Sequence, residues 1–595
     1  MCGIYTTFSD KPITSSKFLV SLKDLEYRGY DSAGITFFSG SKYKTFKTLK
    51  KISDLQIKVP KTEKSKIIIG HTRWATHGKP SIKNSHPHII KDLAIVHNGV
   101  IENFDDLKNN KYLSSYEFKT ETDTELILLL IHHFCKKLSF KDSVLKTSKL
   151  IKGSNAFICS KVNPDKKEMV AYKNNTPLYF GIKLNGERVF SSDLNSIKKN
   201  LKGYYYLENN EIFHLEENRE SLFSKDSKKK KIHLNNVEVR KRTSKRKIKD
   251  SITYSEIKEQ KSYILRFEKI ILKIQKKINA ITKPSEIVII GCGSSYNVGN
   301  LGKIFIEKNS KIPVSVFRPS EYFPVSDNKN RLFIFISQSG ETADVCSLLE
   351  SNQLHFKNSL SIVNNNDSRL VRDTSISINL DAGIEKGVAA TKTFTAQTLI
   401  LYAISKVLEN KNIKIKDFSY IKENLINKIF RLEDNIKNIS KKYSKFKNLF
   451  VLGRNYNFPI ATEIALKIKE IAYIHAEGGL SSEIKHGPIA LLDKKFPVIL
   501  LISNDKKTIH NEITSLNEIV SRTTKVVVVA QESVVKKFDM KISSLIDIIS
   551  IPDYEGDLVS LTYLIPLQLL SYHLAKNKSL SIDQPRNLAK VVTVE

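Results

Sequence analysis

The chain has 595 residues and a formal net charge of +34, from 96 lysines and arginines against 62 aspartates and glutamates. That length exceeds what one hydrophobic core serves and implies about three or four domains. The lack of any run of roughly eighteen apolar residues, and of a basic then apolar start, argues against a membrane span, a signal peptide or a lipidated Cys2. Five cysteines without CxxC spacing (Cys2, Cys135, Cys159, Cys292, Cys346) point to a reducing, cytoplasmic setting and no structural zinc. The positive charge is spread through strands and helices alike. Its densest stretches, Lys228 to Lys231 and Arg240 to Lys249, lack the aromatics and glycines of a single-strand platform, so no nucleic-acid partner is expected.

In chain order, Met1-Cys2-Gly3 comes first. With the initiator Met trimmed, Cys2 carries a thiol and a free α-amine on one residue. The amine, with a pKa of roughly 7.7–8.0 against roughly 8.5 for a thiol, accepts the thiol proton directly or through a water. Such a nucleophile suits amide hydrolysis. Short apolar runs, Lys66 to Gly70 and Leu93 to His97, read as strands that end in His71-Thr72-Arg73-Trp74-Ala75-Thr76-His77-Gly78 and His97-Asn98-Gly99. A tetrahedral oxyanion on Cys2 needs fixed donors, a role that fits Asn98 and Gly99. Arg73 is the candidate for an amino-acid carboxylate and Asp123, before a helix at Glu125 to Phe134, for its ammonium.

The segment 224–250 is polar and charged and reads as a linker after a first domain spanning 2–223. The remainder repeats itself. Ile287 to Asn297 has a counterpart in Leu449 to Asn457, Leu332 to Ser337 in Val498 to Ser503, and Leu360 to Val363 in Val526 to Val529. Apolar runs alternating with helices indicate buried parallel strands, and two copies indicate a duplicated doubly wound α/β domain, at 283–415 and 445–581, with an amphipathic connector helix around Ile421 to Ile439.

Ser337-Gln338-Ser339-Gly340-Glu341-Thr342 stands between a strand and a helix, where unpaired N–H groups and the helix dipole favour a phosphate. No lysine follows the glycine as in a nucleotide loop, which favours a sugar-phosphate monoester; Ser295 occupies the turn after the preceding strand. Lys467 and Glu470 lie three apart on a helix reading from Ala461 to Ile474. Glu483-Ile484-Lys485-His486-Gly487-Pro488 follows, and a tail at 582–595 contains Asp583 to Lys590. A carboxylate, an imidazole and lysines beside a phosphate cradle suit aldose–ketose isomerisation, which needs a base to move a proton between carbons and an acid to open the ring.

Over essentially its whole length the chain resembles the glucosamine-6-phosphate synthase family, the isomerising glutamine–fructose-6-phosphate aminotransferases, through Met1 to Ile4, Leu25-Glu26-Tyr27-Arg28-Gly29-Tyr30-Asp31-Ser32-Ala33-Gly34, the Arg73-Trp74 segment, Ser337 to Thr342 and Asp583 to Lys590. The resemblance implies an Ntn-type αββα glutaminase domain followed by two doubly wound sugar-isomerase (SIS) domains, a homodimer, and no metal or organic cofactor. It implies ammonia transfer from glutamine to fructose 6-phosphate, the first step of hexosamine synthesis. Cys2 would be the nucleophile, with Arg73, Thr76, His77, Asn98, Gly99 and Asp123 around glutamine and Trp74 gating an ammonia channel. Ser295, Ser337, Gln338, Ser339 and Thr342 would hold the sugar phosphate. Glu470 would be the isomerising base assisted by Lys467, His486 from the neighbouring subunit the ring opener, and Lys590 the Schiff-base lysine.

The chain departs from the family at Tyr5-Thr6-Thr7, where a glycine is usual, at Ala390 in place of a serine, at Gly478 to Ser482, and at Lys261 in place of a proline. Competing readings are another Cys2-type amidotransferase, such as phosphoribosyl-pyrophosphate amidotransferase or asparagine synthetase, and a non-catalytic sugar-phosphate-binding regulator. The chain has no Ser-Gly-Gly-x-Asp-Ser pyrophosphate loop, and it retains Cys2, Glu470, His486 and Lys590, which disfavours both.

Overall fold

The computed structural model describes the chain except residues 1, 40–41, 75–76, 164–165, 218, 237–249, 324–329, 352–354, 410–424 and 592–595. It forms two compact units, one of residues up to Lys245 and the other Arg246–Lys590.

Strand periodicity builds the first unit. In Lys64–Arg73, Ile67 and Ile69 face one way and Ile68 the other, the period of two of a pleated strand. Ile67 and Ile69 join Ile4, Phe8, Ala94, Val96, Ala156 and Ile158 in a core between two seven-stranded antiparallel sheets. Ile68 packs instead with Tyr5, Phe18, Leu19 and Leu22 beneath the helix Ser15–Lys23. On the far face of the second sheet, Leu93 and Ile95 lie under the helices Asp123–Phe134 and Phe140–Leu150. The layers therefore run helix, sheet, sheet, helix, because each sheet has two apolar faces to cover.

Strand Gly3–Thr14 is an inner strand of the first sheet, between Arg188–Ser191 and Lys64–Arg73, with Ile4 opposite His71. Tyr5, at one of the departures from the family pattern, is 1 % exposed. Its ring lies 4.8 Å from that of Phe18, and its hydroxyl accepts from Lys183 Nζ at 2.9 Å, which also pairs with Glu187 at 2.7 Å. Pairing on both sides is what allows this ammonium to be buried. Within 224–250, Lys229–Lys230 forms a short strand on Arg219–Phe223, and Asn235 bridges to Tyr204; residues 237–249 lie outside the described residues.

The second unit opens with the helices Ile252–Arg266 and Glu268–Asn279 and contains two five-stranded parallel sheets. Their orders correspond. The first runs Val314–Phe317, Glu286–Gly291, Arg331–Ser337, Ser359–Val363, Ile376–Asn379; the second runs His475–Leu480, Asn448–Gly453, Val498–Ile502, Val526–Gln531, Asp547–Ile551. The inner strands are almost continuous apolar runs because both faces are buried. One core cluster joins the repeats through helices Ser294–Ser310, Lys392–Leu408, Asn457–Lys467 and Ser560–Asn577. The connector is two helices, Ile426–Arg431 and Glu433–Tyr443; residues 421–424 of its expected span lie outside the described residues. The stretch Asp557–Asn577 is long and apolar enough to cross a membrane, yet 94 % of its most apolar window is buried within the protein, as in a core helix. Asp583, near the end of the chain, accepts the N–H groups of Ile252 and Thr253 at 2.9 and 2.8 Å and the Thr253 hydroxyl, capping the helix Ile252–Arg266 together with Ser251.

Candidate active sites

In the first unit the strand period carries the argument to the site. His71 and Arg73 share the parity of Ile67 and Ile69, and Asn98 that of Ala94 and Val96, so both strands deliver them between the sheets. The Cys2 thiol, 9 % exposed, accepts from the Trp74 N–H at 3.3 Å and lies 3.4 Å from the Trp74 carbonyl. The Cys2 carbonyl accepts from Asn98 Nδ2 at 3.0 Å and Arg28 Nε at 3.3 Å. Burial raises the thiol's pKa against the pull of its cationic surroundings and the Trp74 N–H. A nucleophile here therefore needs a base to take its proton.

Arg73 donates to the carbonyls of His77 and Gly78, which aims the guanidinium, while its Nη1 is buried and has no hydrogen-bond partner among the described residues. An unpaired buried guanidinium N–H is costly in a resting protein and suits an incoming carboxylate. Asp123 opens the helix Asp123–Phe134; it accepts from the Ile101 N–H at 3.1 Å and lies 3.8 Å from His97 Nδ1. His77 is half-buried beside Phe104, and its Nδ1 has no partner among the described residues. Gly99 ends the strand that carries Asn98. Thr76 lies outside the described residues. Arg28 and His71 stood inside the quoted motifs, but nothing in their spacing tells which atoms they meet.

In the second unit Ser337, at the C-terminal end of its strand, receives the Gly340 N–H at 3.0 Å and lies 2.8 Å from Thr342 Oγ1 and 3.4 Å from Ser339 Oγ. Gly340 has φ +68, and a Cβ there would stand 2.0 Å from Ser368 Oγ, so only glycine closes this loop. Gln338 follows Ser337 and is half-buried, as is Ser295, in the first turn of the helix Ser294–Ser310.

Next to Ser295 a buried charge chain begins. Ser294 Oγ and Asn297 Nδ2 each donate to Glu463 at 2.9 Å; Glu463 lies 3.5 Å from Lys467 Nζ, which bonds Glu470. Burial raises the Glu463 pKa, whereas for Lys467 burial is outweighed by Glu470 and Glu463, so its pKa also rises. The sequence reading places Lys467 and Glu470 on one helix to Ile474. The structure ends the α-helix at Lys467, continues as a π-turn over Ile468–Ala472 and stops at Tyr473, with φ 52. A π-turn is a common way to re-aim a functional side chain. Glu463 was missed, although its offset of four from Lys467 was visible.

Lys590 is ion-paired with Glu385, both side chains being almost fully buried. Glu385 also accepts from the N–H groups of Thr391 and Thr393 and from the Thr393 hydroxyl. Burial opposes its charge, but Lys590 and these donors lower its pKa. The nearby Glu256, which accepts from Lys386 and Gly387, is pushed up to about 8, chiefly by burial and then by Glu385. His486 ends a 3-10 turn, Ser481–His486, exposed and without a hydrogen-bond partner among the described residues. Among the described residues one metal-type cluster, Glu168, His214 and Glu216, has ligand atoms within 4.8 Å, but Lys166 already pairs with both carboxylates at 3.1 and 2.7 Å.

A glutamine amidotransferase domain model matches residues 71–199, and a SIS domain model matches residues 280–406 and 442–577. The glutamine–fructose-6-phosphate aminotransferase (isomerizing) of Francisella tularensis subsp. tularensis is 36 % identical over 624 residues, spanning 100 % of both chains. That of Aquifex aeolicus is 36 % identical over 608 residues and that of Methanosarcina acetivorans 34 % over 631, again with full coverage of both. Among solved structures, the C-terminal domain of glucosamine-fructose-6-phosphate aminotransferase from Francisella tularensis matches with a TM-score of 0.51 and 33 % identity, covering 56 % of this chain and 98 % of that one.

Proposed function

This chain belongs to the isomerizing glutamine–fructose-6-phosphate aminotransferase family, and on that premise we propose that it converts fructose 6-phosphate and glutamine to glucosamine 6-phosphate and glutamate. Cys2, freed of Met1, attacks the glutamine amide; its α-amine takes the thiol proton, and Asn98 and Gly99 stabilise the oxyanion. Arg73 and Asp123 hold the two ends of the amino acid, with Thr76 and His77 around it. The observation that carries the reading is a cysteine whose carbonyl takes the Asn98 amide N–H, with a guanidinium that keeps one buried N–H open among the described residues.

The released ammonia travels past Trp74 to the sugar. Ser295, Ser337, Gln338, Ser339 and Thr342 bind the phosphate and neighbouring hydroxyls. The Lys590 amine condenses with the ketose carbonyl, releasing water, and ammonia later displaces the lysine. Glu470, held by Lys467, moves a proton between the two carbons. His486 opens the ring in the neighbouring subunit of a homodimer, a role supported by its exposure and its lack of a side-chain partner among the described residues. The setting is cytoplasmic, and neither nucleic acid nor membrane is a partner. A sugar-phosphate-binding regulator is not favoured, because it has no use for the Cys2 and Lys590 arrangements.

Purified protein given both substrates should form glucosamine 6-phosphate and glutamate in equal amounts. Cys2→Ala should lower glutamine hydrolysis by roughly a thousandfold or more while fructose 6-phosphate still binds. Mass spectrometry of the active protein should find Met1 absent; an active chain that keeps it would defeat the α-amine as base.

A further inference from the structure

We infer that His71 is the positioning residue that sets the orientation of the Asn98 amide, an inference that rests on the proposed role of Asn98 as oxyanion donor. His71 is 1 % exposed, on the strand whose side chains face Asn98 across the sheets. Its Nε2 lies 3.0 Å from the His97 carbonyl and 3.1 Å from Asn98 Oδ1. Burial pushes its pKa down to about 3 against those two hydrogen bonds, so the ring is neutral and carries one proton.

The backbone decides where that proton is. The His97 carbonyl only accepts, so Nε2 carries the hydrogen, and the His71 Nδ1, which is buried and has no partner among the described residues, is the bare lone pair. An N–H at Nε2 rejects an NH₂ group and selects the oxygen of Asn98. At the other end of the amide the Cys2 carbonyl, also a pure acceptor, selects Nδ2 at 3.0 Å. Two backbone carbonyls thus demand the same amide orientation, independent of how oxygen and nitrogen were assigned. With that hydrogen on His71 Nε2, the neighbouring His86 Nδ1, 3.2 Å away in a ring that burial keeps neutral, must face it with its lone pair, which puts the His86 hydrogen on Nε2. Asn98 Nδ2 keeps a second hydrogen for an oxyanion formed on Cys2. Without the His71 N–H the amide loses the donor that favours its working orientation over the flipped one, which would present an oxygen to a negative charge.

The test is glutamine hydrolysis by the full chain with fructose 6-phosphate present, for His71→Leu, His71→Gln, His71→Asn, Asn98→Ala and the His71→Leu/Asn98→Ala double variant. Leu should lower kcat on the order of a hundredfold with KM within about twofold, and the double variant should be no slower than Asn98→Ala alone. His71→Gln, whose amide nitrogen reaches the Nε2 position, should regain at least about tenfold, whereas His71→Asn, which reaches only the Nδ1 position, should not. Wild-type kcat in His71→Leu, or losses that multiply in the double variant, would overturn the proposal. If the first unit of His71→Leu does not fold, shown by loss of its cooperative melting transition, equal kcat in the Gln and Asn variants overturns it instead. Full kcat in Asn98→Ala would remove the underlying assignment of Asn98, an outcome distinguishable from failure of His71 alone.

Discussion

The two parallel-sheet repeats of the second unit share strand order, and each places a serine at the end of its third strand in sequence order, or just after it, and a threonine at the same offset beyond that serine: Ser337 and Thr342 in the first, Ser503 and Thr508 in the second. Their hydroxyls have different fates. In the first repeat, among the described residues, the Ser337 and Thr342 hydroxyls bond only to one another and to the loop, and the buried residue at the next shared offset is Cys346. In the second that offset holds Glu512, whose buried carboxylate accepts the Ser503 N–H and hydroxyl at 2.9 Å and the Thr508 hydroxyl at 3.0 Å. One repeat leaves its hydroxyls to one another and to the loop, and the other ties them to its own buried carboxyl. The two repeats share the scaffold, and the turns differ at Gly340 against Lys506 and at Cys346 against Glu512.

The largest test of this contrast is at Gly340 and its counterpart Lys506. Gly340→Ala should abolish measurable fructose 6-phosphate binding in a titration and destabilise the protein by about 1–3 kcal/mol, from positive φ and the clash at Ser368. Lys506→Ala, at an exposed site, should stay within about 0.5 kcal/mol and bind normally; equal effects would break the comparison. Next comes Glu512, whose carboxyl is pushed up from 4.5 to about 7, mainly by burial. The folded chain then holds a proton that the unfolded chain releases. The favourable contribution is full below pH 4.5 and fades as pH rises through 7, by roughly 3 kcal/mol in all relative to Glu512→Gln. Melting temperatures of the two proteins from pH 4 to 8 check this, and parallel curves would refute it. The smallest contrast is Ser337→Ala against Ser503→Ala: about tenfold weaker sugar-phosphate binding for the first, unchanged binding and about 1 kcal/mol lower stability for the second.

The repeats were legible in the sequence because buried parallel strands are continuous apolar runs, and the first unit's site strands because each run ends in a polar motif. Asn98 and Arg73 could be read for the same reason, since short-range strand parity places them. Contacts between distant segments left no such mark. Glu385 meets a lysine at the far end of the unit, and Glu256 reaches the Glu385 loop from the opening helix. The π-turn after Lys467 breaks a helical period that the residues alone continue smoothly. Composition also misled at Lys229–Lys230, where a charge run that reads as linker is an edge strand with Lys230 paired to Glu208 and Glu211.

The clasp of Asp583 on the helix Ile252–Arg266 has a consequence for the order of folding. Two N–H groups in that helix's first turn find an acceptor in a carboxylate 331 and 330 residues further along the chain. A contact that closes so long a loop forms late, and the same closure brings Lys590 to Glu385.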